Sequence, residues 1–375
     1  MADKKGRRQF GWVRPLPSGR YQASYVGPDG RRRVAPTTYS NKTDAQNWPT
    51  LRQAELLRGE WSDPELGRVE LGEYGDRWIA EHRLAERTRE LYEGLFRLHV
   101  RPMLGRRQLS KITPDVVRTW RTSLLDSGRS AETTAKAYRL LRAMMSTAVD
   151  DGRIRRNPCR IKGADRADTP ERSTATVPQV YRLAEGVGGR YRVFILAAAF
   201  TGLRWGELLA LRRVDVDLAS GTVRVHRSIA QLAGGHLVPG PPKSPASVRT
   251  VTLPGVLIDE LRTHMTKYVG PDDGDRIFTG PKGATPTRGN WRVSVKWPAQ
   301  VMAAGLPVGF HFHDLRHTGN HLAAESGAST RELMHRMGHS TMAAALRYQH
   351  ATDERARQIA DRLSEVVESR MTGTL

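Results

Sequence analysis

Hydrophobic and polar positions change period several times along the chain. From Tyr21 to Val26 they alternate as in a strand. Pro28-Asp29-Gly30 reads as a hairpin turn, and Arg31 to Tyr39 as the next extended run. A helix is expected from about Thr43 to Arg58 with Ala45, Trp48, Leu56 and Leu57 inward, kinked or restarted at Pro49. The polar stretch EWSDPELG then connects to a helical region in which Leu71, Tyr74, Trp78 and Ile79 form one stripe. Leu91, Leu95, Phe96, Leu98 and Val100 belong to a second helix that Pro102 ends. Thr113-Pro114-Asp115 combines an N-cap, a first-turn proline and a dipole-matched acid, so a third helix starts there. Ser130 caps a fourth, in which Ala137, Tyr138, Leu141, Met145 and Ala148 recur at helical spacing up to Gly152.

The segment IKGADRADTPER, Ile161 to Arg172, is polar and aperiodic and reads as a linker. Beyond it Tyr191 to Phe200 is a buried helix, and Thr201 to Glu207 turns into another, Leu208 to Arg212. Thr222 to Ile229 alternates as a strand whose expected partner is Ser247 to Leu253. The Gly- and Pro-rich segment between them places Lys243 on or near the tip of a hairpin-like excursion. Asp353 to Arg370 forms an amphipathic helix with Ile359, Leu363, Val366 and Val367 on one stripe. The expected fold is multidomain and mainly α with small β-sheets. It comprises an N-terminal three-stranded sheet plus helix (1–64), a four-helix domain (65–162) and an α+β domain (172–375).

Composition narrows the function. Lys and Arg number 60 against 39 Asp and Glu, a formal charge of +21 with a pI near 10.7. Such an excess points to nucleic acid or an anionic membrane. The mean hydropathy of -0.54 and a longest apolar run of only Val193 to Phe200 argue against a membrane partner. The charged start MADKKGRR does not read as a signal peptide, and the single cysteine, Cys159, fits a reducing compartment. The expected location is the cytoplasm, on the bacterial nucleoid. Residues 1 to 33 hold nine Lys/Arg with aromatics threaded among them, and Arg31, Arg32 and Arg33 on a short sheet favour DNA contact over mere solubility. Lys136 and Arg139, with other basic residues on the outer helix faces, form a second candidate surface.

The stretch His311 to His350 carries the candidate chemistry. His313 and Arg316 stand three apart, on one side of a helical turn. A second basic cluster ends in Gly338-His339, and Tyr348 follows on an Ala/Leu-rich run. Imidazole, guanidinium and phenol suit an anionic substrate attacked by a tyrosine, with a phosphodiester as the natural candidate. His313/His317 and His335/His339 have a spacing that can chelate zinc, but the Glu of H-E-x-x-H is missing and Arg316 and Arg336 would repel a dication. No metal and no cofactor are expected.

The boxes T-G-L-R-W-G-E around Arg204, P-K-S-P-A-S-V-R-T-V around Lys243, H-D-L-R-H-T, G-H-S and R-Y-Q-H occur in the order of the tyrosine recombinase (phage-type integrase) family, which residues 172 to 360 resemble. Residues 68 to 160 resemble that family's core-DNA-binding domain. Residues 1 to 60 resemble, more loosely, its arm-binding domain. The resemblance implies that Arg204 and Arg316 clamp the scissile phosphate, His313 accepts a proton, His339 donates to the phosphate, Lys243 protonates the leaving oxygen, and Tyr348 attacks. It also implies double-stranded DNA attachment sites, a homotetramer on DNA, and an excisionase or host DNA-bending protein as accessory partners. The plainer readings are a helix-end Arg204 paired with Glu207, a loop Lys243 and a core Tyr348. For the whole chain the rivals are a dimer-resolving recombinase, a topoisomerase-like nicking enzyme and a non-catalytic DNA-binding regulator.

Overall fold

The computed structural model describes residues 10–59, 61, 63, 65–167, 172–338, 340–342 and 353–371. The chain divides into two units, Met1–Thr169 and Pro170–Leu375.

In the first unit, strands β1 (Trp12–Pro15), β2 (Tyr21–Val26) and β3 (Arg32–Val34) form an antiparallel sheet in that order. Helix α1 (Lys42–Leu57) is capped by Asn41, whose side chain accepts from the Asp44 N–H at 2.8 Å, and covers one face around Ala23 and Ala45. Contrary to expectation, α1 runs through Pro49 as one helix. The proline ring is buried, so packing offsets the hydrogen bond its nitrogen cannot make. Leu57, expected inward, is 82% exposed, because α1 ends there with no further sheet to cover it.

Helices α2 (Leu71–Glu81), α3 (Glu86–Leu95), α5 (Pro114–Asp126) and α6 (Ala131–Asp150) share a core of Leu71, Trp78, Phe96, Trp120, Tyr138 and Leu141. Thr113 and Ser130 cap α5 and α6 as their sequence requires, accepting from the N–H groups of Val116 and Thr133. Pro102 does not end the second helix of this set. Phe96–Val100 widens into a π-helical turn, and the short helix α4 (Arg101–Leu104) restarts with the proline in its first turn, where no N–H is needed. Leu98 is exposed, because that change of period rotates it out of the stripe, and Leu91 is exposed on α3 ahead of it. The start of the expected linker is packed rather than free. Ala164 is buried in this core, and the Ile161 N–H donates to the Tyr138 hydroxyl at 2.9 Å.

The second unit is built around α8 (Gly189–Thr201), whose run VFILAAAF is apolar on every side because α7 (Val177–Gly186), α10 (Gly255–Tyr268) and α13 (Phe312–Glu325) enclose it. Gly319 of α13 lies so close to α8 that a Cβ there would sit 2.3 Å from the Ala199 carbonyl oxygen. The expected strand Thr222 to Ile229 is in fact two. β5 (Thr222–Val225) pairs with β4 (Val216–Asp217) and β8 (Arg249–Thr252), whereas β6 (Ser228–Gln231) pairs with β7 (Leu237–Gly240) in a separate hairpin. The change of partner falls at His226-Arg227, where Arg227 turns to Asp215 at 2.7 Å. Lys243 therefore lies beyond β7 on the way to β8, not at the tip of an excursion, and it is exposed. α9 (Trp205–Ala210), α11 (Arg288–Ser294), α12 (Trp297–Ala303) and α14 (Thr330–Met337) complete the described core. The C-terminal helix Asp353–Met371 leaves Leu363, Val366 and Val367 exposed. Among the described residues no helix is long and apolar enough to cross a membrane.

Candidate active site

Arg204 stands between two helices. α8 ends at Gly202, whose backbone is left-handed at φ 66°, a conformation that suits glycine, and α9 begins after Arg204 as N-cap. Glu207, in the first turn of α9, accepts from the Arg204 backbone N–H at 3.0 Å and from Nη1 at 2.6 Å. The plain reading of an Arg204–Glu207 ion pair is thus present in the structure. It holds the guanidinium in place without using it up. Nη1 also donates to Ser247 Oγ at 3.1 Å, and Nη2 to the Gly338 carbonyl at 3.2 Å.

Arg316 comes to the same place from α13. It is 5% exposed and donates to the carbonyls of Gly202 and Met337, the latter at 2.5 Å. Both acceptors lie at helix C-termini, α8 and α14, where unpaired carbonyls and the dipole favour a cation. Gly338 ends α14 in a left-handed conformation at φ 63° and brings the chain to His339.

Two further arginines join this cluster. Arg249 Nη2 donates to Glu207 Oε2 at 3.1 Å, its Nε to the Arg336 carbonyl at 2.7 Å and its Nη1 to the Ser247 carbonyl at 2.9 Å. Arg336 donates to the carbonyls of Phe200 and Thr252. Burial alone pushes the Glu207 carboxyl up. Arg249, Arg204, the Arg204 backbone N–H and Arg316 outweigh that and hold it below its ordinary value. The sequence signal was the alternation Ser247, Arg249, Val251; in the structure Arg249 and Val251 face inward from β8, and Ser247 is buried at the end of the 3-10 turn before it.

His313 lies at the rim of a cleft of about 300 Å³ floored by Trp205, Trp291 and Phe312 and edged by Arg288 and His311. The residue is exposed, yet protein packed around the ring, and then the charges of His317, Arg316, Arg288 and Arg204, push its pKa down to about 3. The ring is therefore neutral at neutral pH, with one nitrogen that carries no proton. The His313 and His317 rings meet edge to face with centroids 5.1 Å apart. Among the described residues no group of three His, Cys, Asp or Glu side chains gathers that could hold a metal ion. His339 and Tyr348 lie outside the described residues, so the structure brings together Arg204, Arg316 and His313 of the expected set, with Lys243 on the adjoining strand connection.

The expected DNA-contact residues separate in the same way. Strand alternation puts Arg33, paired with Tyr25, on the helix side of the N-terminal sheet. There it is 9% exposed and bonded to Asp29 at 2.6 Å and Asp63 at 2.7 Å. Arg33 therefore does not offer a free guanidinium, which corrects the reading of the three arginines as one contact group. Arg32 lies on the opposite face over the Trp12 ring, 5.4 Å from its centroid, and Arg31 is exposed in the turn. On α6, Arg139 is exposed and Lys136 is half-buried. Lys136 pairs with Glu132 at 3.1 Å, and Arg139 donates to the Asp165 carbonyl at 2.6 Å.

The chain matches family models described as phage integrase, N-terminal domain (residues 9–58), phage integrase, N-terminal SAM-like domain (70–125) and phage integrase family (175–355). It is 39% identical over 377 residues to a putative prophage phiRv2 integrase of Mycobacterium tuberculosis, covering 98% of each chain. To the integrase of Mycobacterium phage L5 it is 34% identical, covering 97% of this chain and 99% of that one. Among solved structures, the Tn1549 transposon integrase in complex with a circular intermediate DNA shares the fold at a TM-score of 0.69 and 22% identity, over 78% of this chain and 99% of that one. A lambda integrase dimer bound to a COC' core site does so at 0.57 and 19%, over 93% of this chain and 97% of that one. With its boxes in order, its two arginines on a shared carbonyl-lined rim and relatives alike along nearly their whole length, this chain belongs to the phage integrase family and is a site-specific tyrosine recombinase.

Proposed function

We propose that the protein cuts and rejoins double-stranded DNA at attachment sites through a 3'-phosphotyrosyl link on Tyr348, integrating and excising a mobile element. The observation that carries this reading is the meeting of Arg204 and Arg316 at the carbonyls of Gly202, Met337 and Gly338, one residue before His339. Two guanidiniums fixed from behind suit the non-bridging oxygens of a phosphodiester, where charge gathers during attack. His313 takes the tyrosine proton, His339 donates to the phosphate, and Lys243 protonates the departing 5' oxygen. Because the phosphotyrosyl link keeps the energy of the broken bond, rejoining needs neither ATP nor metal.

Residues 65–162 act as the core-DNA-binding domain, with Lys136 and Arg139 on its DNA side. Residues 1–64 bind arm sites through the sheet face opposite α1, where Trp12, Arg14 and Arg32 lie with Arg31 at its edge. The active form is a tetramer on two duplexes, working on the nucleoid with an excisionase or a DNA-bending host protein. Digestion of the covalent complex formed on a core-site duplex tests this reading. The nucleotide should map to the peptide containing Tyr348, and the Tyr348→Phe protein should bind the duplex without forming the complex. An adduct on any other residue overturns it.

A further inference from the structure

Ser247 and Arg249 point polar groups inward from the segment that follows Lys243, and both reach the surroundings of Arg204. Ser247 is fully buried. Its hydroxyl accepts from Arg204 Nη1 at 3.1 Å and lies 3.1 Å from the hydroxyl of Ser244, the neighbour of Lys243. Arg249 has a side chain 1% exposed and spends its donors on three separate elements: Glu207 in α9, Arg336 at the end of α14 and the Ser247 backbone. Of the five N–H donors of a guanidinium, three on Arg204 are taken by Glu207, Ser247 and Gly338. Among the described residues the other two meet no acceptor, which leaves them for a phosphate. The direction of those two is set by how the other three are held.

We propose that Ser247 and Arg249 are positioning residues for the phosphate clamp. Arg249 fixes the carboxylate that grips one side of Arg204 Nη1, and Ser247 fixes the other side and joins it to the strand connection that bears Lys243. The pair acts through Arg204 and touches no substrate. The proposal rests on the reading of Arg204 as a clamp residue. It adds that the clamp is set from behind by residues of the connection and strand that follow Lys243.

The test uses the full-length protein and a core-site duplex, with covalent-complex formation, duplex affinity and thermal midpoint measured together. Ser247→Ala removes one oxygen and should fold as the parent does and bind the duplex within about twofold. It should form the complex about 10- to 100-fold more slowly, the loss expected of a hydrogen bond to a charged group. Arg249→Lys keeps the charge but cannot bridge three acceptors, and should slow the same step without weakening binding. In an Arg204→Ala background, Ser247→Ala should add less than about twofold, because a residue acting through Arg204 has nothing left to position. In a Lys243→Ala background the two losses should multiply. Full multiplication with Arg204→Ala, or a Ser247→Ala protein as fast as the parent, overturns the proposal. An Arg204→Ala protein that still cleaves at the parent rate would instead bring down the clamp reading beneath it.

Discussion

Arg316 donates to the carbonyl of Gly202, the residue that closes α8 two positions before Arg204. Two guanidiniums that stand far apart in the chain are therefore joined through one stretch of backbone. The left-handed turn at Gly202 is what presents that carbonyl. A Cβ there would also fall 2.2 Å from Met337 Sδ, so the same glycine lets α14 approach. Glu207 faces both Arg204 and Arg249, while helix-end carbonyls take Arg316 and Arg336 without cancelling their charge.

Arg204 and Arg316 should differ when removed. Losing one charge-stabilising donor typically slows a reaction by about 10² to 10³, and Arg204→Ala should show that loss in single-turnover cleavage with a near-parental thermal midpoint. Arg316→Ala should lose as much rate and also destabilise the second unit, by about 1–3 kcal/mol for buried carbonyls left without a donor, read by urea melts. Parent cleavage should be the same with and without EDTA. A requirement for added zinc or magnesium would overturn the mechanism.

His313 sets an acid sensitivity whose sign follows from its pKa. Its folded value is depressed from 6.5 to about 3, so between those limits the unfolded chain binds a proton that the folded chain does not. The stability tied to the neutral ring is whole above pH 6.5 and is lost as pH falls toward 3. Urea melts at intervals from about pH 7 to 4 should show a steeper loss for the parent than for His313→Asn. Equal slopes would show that the ring is not held neutral.

Gly319→Ala should be costly although alanine favours helix. The added carbon would meet the Ala199 carbonyl oxygen at 2.3 Å, and that acceptor is backbone in a buried helix. The two helices must part, at about 1–3 kcal/mol for overpacking. Arg316 would move with α13, so cleavage should fall along with stability. A protein of unchanged denaturation midpoint would mean that the helices adjust without strain.

The N-terminal arginines should sort by strand face. Arg33→Ala should lower the stability of residues 10–59, because it leaves the Asp29 and Asp63 carboxylates without their partner. Arg32→Ala and Arg14→Ala should instead weaken arm-site binding and flatten its salt dependence, by a log-log slope of about 0.9 for each phosphate no longer neutralised. Filter binding across a salt series distinguishes the two effects. Equal loss of affinity at Arg32 and Arg33 would contradict the assignment of faces.

Signals confined to a few neighbouring residues were fully legible in the sequence. The caps at Thr113 and Ser130, the alternation of Tyr21 to Val26 and the apolar run of α8 each identify an element, and the ordered boxes at Arg204, His313 and Arg316 identify the family, without reference to a distant partner. Tertiary contact decided the rest. Pro49 stays inside α1 because its ring is buried, Pro102 restarts a helix because a π-turn precedes it, and β5 parts from β6 because Arg227 finds Asp215. Arg33 turns away from Arg32 because strand alternation gives it the helix side, and the carboxylates of Asp29 and Asp63 hold it there. Ser247 and Arg249 read locally as ordinary strand residues. Only the fold brings Glu207, Arg204 and the end of α14 to them, because burial makes every donor seek an acceptor and the nearest acceptors lie far along the chain.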